Sequence, residues 1–151
     1  MIDKATFKEN FQYFDNELVV EIIDIFLNEY EERLAQIEDD FNKPDYVSLK
    51  FNAHSYKGVV ANFYDPEITD SSKDLDKYAK QLSAALSAKL DKPEEHLSKM
   101  DKEELVRISM SLLSEEKETV TKAKGTFSQL KELTLLLAEE LNELRKAYLA
   151  S

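Results

Sequence analysis

The sequence predicts an all-α fold: an antiparallel four-helix bundle with a short N-terminal helix and an extra C-terminal helical segment. Three observations predict it. The 151-residue chain contains only 2 Gly and 3 Pro, so turn-formers are scarce. Glu, Lys, Leu and Ala are plentiful, and these side chains lose little entropy in a helix. Apolar residues recur at intervals of three and four, the period of a helix with one buried face. The length suits one domain able to bury its own core. The expected organisation is a single bundle over residues 1–151, with about 91–125 as a helical insertion or extension.

The elements follow in order. "MIDKATFKENFQYF" reads as a short helix, with Thr6 and Glu9 spaced as a capping box. Asp15 caps the next helix, and Phe14 and Val19 are placed as a hydrophobic staple. Val19, Ile23, Phe26, Tyr30, Leu34, Ile37 and Phe41 form its stripe, which Leu18, Ile22 and Ile25 widen. Pro44 disfavours helical geometry at Lys43 and ends it. Asp45 opens the next helix, with Tyr46, Leu49, Ala53, Tyr56, Val60 and Phe63 facing inward. Asp65 and Pro66 start another, with Ile68, Leu75, Ala79, Leu82, Leu86 and Leu90 on one face. Asp91 with Glu94, and Asp101 with Glu104, are spaced as capping boxes for a short helix near 92–99 and another from 102. From 102 onward either one helix runs to 149, or a break falls near Ser114 or Gly125. The apolar phase survives across Gly125.

Composition narrows the function. The net charge is −11, so a phosphate backbone would be repelled and nucleic acid is not an expected partner. No apolar run is long enough to span a membrane, and the N-terminus lacks a signal-peptide apolar block. A cytoplasmic protein is expected. With no Cys there is neither a disulfide framework nor a thiolate metal site.

One stretch stands apart: "FNAHSYKGVVANF", residues 51–63. It places a histidine and a glycine inside a helix. With about 100° per residue and Leu49 as zero, Ala53, Tyr56 and Val60 fall within about 40° of the buried direction. His54 falls near ~140° and Gly58 near ~180°, so both point outward, and Lys57 lies near ~80°. Lys57 and Gly58 are one turn beyond His54, where helical side chains meet. Val47, Phe51 and Ala61 share the outward side, an apolar patch of the kind a partner docks on. Glycine costs a helix interior about 1 kcal/mol relative to alanine, so Gly58 answers a packing or functional need. Without bulk there, another protein's active site can approach the imidazole. Lys57 brings a mobile positive charge, useful if the ring is to carry a phosphoryl group.

At these residues the chain resembles the histidine phosphotransfer (HPt) domain family. The matching stretch is "AHSYKGVVANFYDPEITDSSKDLD", residues 53–76, with Ala53-His54, Lys57-Gly58, Ala61-Asn62-Phe63, Ile68 and Leu75 on the family's pattern. The resemblance implies a phosphoacceptor at His54, phosphoryl stabilisation by Lys57 and clearance at Gly58. It implies a phosphocarrier rather than an enzyme, working between a histidine kinase or hybrid kinase and a response regulator receiver domain. It implies no cofactor on the carrier, with Mg²⁺ on the receiver, whose groups do most of the catalysis. Some positions depart from the pattern. Tyr56 stands where Leu is usual, Val59-Val60 replaces a small or Ser pair, Tyr64-Asp65-Pro66 replaces a Gly-containing corner, and Ser71 replaces an apolar residue. Residues 91–125 have no counterpart in a minimal domain.

Other readings are less economical. His54 has a lysine rather than a metal-ligating group one turn on, and His96 is remote from it and reads as a solvated helix residue. Ser55 diverges from His54 on a helix, so acyl transfer has no nucleophile–base pair. The Leu-rich tail reads as a bundle helix, and a monomer is expected. The alternative from another class is a helical adaptor that binds partners without being phosphorylated.

Overall fold

A computed structural model describes residues 1–151. Its helices are α1 (Lys4–Phe11), α2 (Asn16–Asn42), α3 (Tyr46–Val60), α4 (Pro66–Leu90), α5 (Glu94–Leu97), α6 (Lys102–Ser111) and α7 (Lys117–Ala150), with one 3₁₀ turn, Ala61–Phe63, extending α3. There is no strand. Helices α2, α3, α4 and α7 pack as a ring of neighbours, α2 on α3, α3 on α4, α4 on α7 and α7 on α2. Ion pairs fix the antiparallel register of the closing pair: Arg145 meets Asp24 at 2.6 Å and Lys131 meets Glu38 at 3.2 Å.

The caps explain where helices begin. Asp15, Asp45 and Asp65 each accept a hydrogen bond from a backbone N–H of the first turn, satisfying donors that have no intrahelical partner. At the N-terminus the cap is Asp3, which accepts from the Thr6 N–H, rather than Thr6 itself. Asp91 does not cap α5 either. It closes α4 in the left-handed conformation at φ 52°, and Pro93 precedes α5. Asp101 does precede α6, but without a side-chain cap. The aspartate–glutamate spacing alone therefore did not distinguish a helix start from a helix stop.

The expected stripes face the core, with Ile22, Tyr30 and Leu90 half-buried and two residues of α2 left outside. Leu18 and Ile25 are exposed, and Val20 is buried in their stead. The α2 stripe is narrowed because α3 and α7 flank it, leaving the 18/25 edge outside. The break after α6 falls at residues 112–116, and α7 then runs unbroken through Gly125. Residues 117–125 thus belong to the long last helix, and the segment between α4 and α7 is 91–116.

That segment wraps the end of the bundle where α2 stops and α3 starts. Leu97, Leu105, Ile108 and Leu112 join the same buried cluster as the four long helices. The Ser109 hydroxyl accepts from the Tyr46 N–H at 3.4 Å, tying α6 to the first turn of α3. At the opposite end the Asp3 N–H donates to the Tyr64 carbonyl at 2.8 Å. Tyr64 itself is left-handed, at φ 57°, the conformation that a glycine at this corner would adopt without strain. Its ring packs edge-on against Phe7 and Phe11, which holds the corner in place.

Two departures at core positions have different consequences. Tyr56 reaches across the bundle, and its hydroxyl lies 2.7 Å from Thr134 Oγ1 on α7. Thr134 donates to the Leu130 carbonyl, so the Tyr56 O–H is the donor to Thr134. Ser71 is buried with no partner for its hydroxyl.

Candidate functional site

Helix α3 lies between α2 and α4, which bury one side of it and leave the other in solvent. His54 sits on the open side, with 62% of its side chain exposed. Neither α7 nor the 91–116 segment covers it. Phe51 is 73% exposed, and Gly58 and Ala61 are also exposed. Val47 is not. It is half-buried against the core and lines a groove that α5 borders. Only Phe51 offers a large apolar surface beside the imidazole.

Lys57 is not the free cation that the sequence suggests. Its Nζ is 2.9 Å from Asp76 Oδ2, and its side chain is only 29% exposed. The reason is its place on the wheel, on the flank of α3 that meets α4. Asp76 is the residue that sequence reasoning missed. It lies on α4, 22 positions beyond His54, and its carboxylate is 5% exposed. Its Oδ1 is 3.3 Å from His54 Nδ1, and Lys80 Nζ is 3.0 Å from its Oδ2. The available signal was "DKYAK": Asp76 and Lys80 are paired at i,i+4, next to the buried Leu75.

The electrostatics follow from this geometry. Burial pushes the Asp76 carboxyl up, but hydrogen bonds and charge from Lys57 and Lys80 outweigh it and hold the group below the ordinary aspartate value. An ionised carboxylate only accepts. In the neutral ring the proton facing Asp76 is therefore on Nδ1, which leaves the lone pair on Nε2, at the ring edge turned away from Asp76. One carboxylate against two ammonium groups leaves surplus positive charge beside the imidazole. The set is arranged as an orienting anion, an outward nucleophilic nitrogen and cations suited to an incoming anion.

Space is available for a visitor. A Cβ built on Gly58 would meet nothing within 4 Å. On the other side of His54 an open groove of about 460 Å³ runs between α3 and α5. On the α2 flank, Arg33 reaches toward Ser55 at 3.5 Å and pairs with Glu29 at 3.2 Å. His96 is exposed on α5. No group of three or more His, Cys, Asp or Glu side chains gathers as a metal site, and no helix is long and apolar enough to cross a membrane.

Comparison with known families gives one result: the model of the Hpt domain matches residues 21–147. No curated protein and no solved structure matches the chain.

Proposed function

Because this chain belongs to the Hpt domain family, with a histidine phosphotransfer role in phosphorelays, we propose that His54 is its phosphoacceptor and that the chain carries the group between a histidine kinase or hybrid kinase and a response regulator receiver. The observation that supports this reading most is the His54–Asp76 contact, with Nδ1 held inward and the opposite ring edge exposed.

In the forward step the Nε2 lone pair attacks the phosphorus of an aspartyl phosphate on the receiver. The P–N bond forms as the P–O bond breaks, and its electron pair leaves on the receiver's carboxylate. The ring becomes a cation that still carries its Nδ1 proton, and the Asp76 carboxylate offsets that charge. Lys57 and Lys80, held beside the ring on Asp76, supply positive charge as negative charge gathers on the phosphoryl oxygens, and Lys57 reaches those oxygens by turning from the carboxylate. In this reading Asp76 is a positioning residue, while His54 and Lys57 touch the transferred group. The chain brings no cofactor, and Mg²⁺ belongs to the receiver. Phe51, Gly58, Ala61 and the edge of Val47 form the docking face around the histidine.

The test is incubation with phosphoramidate or with a phosphorylated receiver domain. Wild type takes up a phosphate that is acid-labile and alkali-stable, and His54→Gln takes up none while remaining folded. Partner binding without phosphate on wild type, under any donor, would return the adaptor reading.

A further inference from the structure

We infer that α5 forms part of the surface on which the receiver docks, and that Glu95 on it selects a receiver with a basic side chain beside its active site. The inference rests on the phosphocarrier reading and names the element that sets its partner. The groove beside His54 has His54 itself, Phe51 and Val47 along one wall, and Glu95 and Ser98 of α5 along the other. A domain whose active site reaches His54 Nε2 must lie over the mouth of a groove that His54 lines. The far wall of that groove then falls within the contact area.

The wall is fixed in place. Leu97 is fully buried in the core, anchoring α5 from beneath. Lys50 on α3 meets Glu94 at 3.0 Å, bridging the two walls. That pair neutralises Glu94. Glu95 is exposed and makes no ion pair, so its charge is presented to the visitor. Phe51, which is exposed and lines the same groove, supplies the apolar anchor that such contact areas are built around. A fixed anion at the rim of an apolar contact favours partners carrying a cation there and disfavours those carrying an anion, chiefly through the rate of association.

The experiment uses the full chain, phosphoramidate as small donor, and a panel of purified receiver domains phosphorylated with acetyl phosphate. The variants are Glu95→Lys and Ser98→Trp, both at exposed positions, with circular dichroism to verify the fold. Uptake from phosphoramidate stays at the wild-type rate in both. From the receiver that wild type accepts fastest, Glu95→Lys raises KM roughly fivefold and weakens its dependence on salt. Ser98→Trp slows the same transfer by filling the groove. Unchanged receiver kinetics in both variants, with His54 still phosphorylated, would overturn the role of α5 and leave the phosphocarrier reading standing. A wild-type chain that accepts phosphate from neither phosphoramidate nor any receiver overturns both.

Discussion

His54 Nδ1 and Asp76 Oδ1 are 3.3 Å apart, joining the middle of α3 to the middle of α4. Lys57 and Lys80 both hold the other oxygen of the same carboxylate, at 2.9 and 3.0 Å. One buried anion therefore orients the imidazole and gathers the cations around it. The site is a four-residue unit rather than a histidine with a lysine nearby.

Asp76→Asn tests that unit. Hydrogen bonds to charged groups contribute about 1.5–3 kcal/mol, so transfer to His54 is expected to fall about ten- to a hundredfold. Phosphoramidate uptake at the wild-type rate would remove Asp76 from the mechanism. The substitution also makes a pH signature. The folded carboxyl is held below its unfolded value, so its stabilisation is complete above the unfolded value of about 4. It is lost as pH falls through the lower folded value. Urea titrations should show a stability gap between wild type and Asp76→Asn that is flat above about pH 5 and narrows below about pH 4.

The two lysines differ in reach. Lys57 is the more enclosed, and Lys80 is 49% exposed. Lys57→Ala is expected to slow phosphohistidine formation about tenfold, and Lys80→Ala only a few-fold, since exposed charges are screened. Because they share one oxygen of Asp76, the double variant should depart from the product of the single effects. Rates are read with phosphoramidate, which avoids any docking contribution. Wild-type rates in both single variants would leave these cations as mere supports for Asp76.

How far the sequence reached can be seen in particular residues. Asp15, Asp45 and Asp65 were legible as caps because each precedes a periodic apolar run. The outward direction of His54 was legible because a helical wheel is local. Asp76 was not, since it meets His54 only once α3 and α4 are packed in register. The same limit hid the tether on Lys57 and the half-burial of Val47, both of which depend on a neighbouring helix. Asp91 misled for another reason: the residue that could cap a following helix instead ends the preceding one, at φ 52°.

Tyr56 and Thr134 illustrate a departure that the fold has matched. Thr134→Val keeps the shape but leaves the Tyr56 hydroxyl buried without an acceptor, at a cost of about 1–3 kcal/mol. Tyr56→Phe in the same background removes the stranded group and is expected to recover most of that loss. Urea midpoints of the single and double variants decide it. No recovery in the double variant would mean that Thr134 acts through its bond to the Leu130 carbonyl instead.

Gly58 and Gly125 form a controlled comparison. Both are exposed within helices, and at both an added Cβ meets nothing within 4 Å. Nothing inside the molecule requires either glycine, so alanine at each should raise stability by about 1 kcal/mol. Only Gly58 lies one turn from His54. Gly58→Glu should therefore leave the helix formed and phosphoramidate uptake near normal, yet slow transfer from a phosphorylated receiver by obstructing its approach. Gly125→Ala should gain stability with transfer untouched. The comparison separates a glycine retained for a visitor from one that the fold merely tolerates. Wild-type receiver kinetics in Gly58→Glu would show that no visiting active site passes over that turn of α3, and the docking face would have to be sought on the α5 side of the histidine alone.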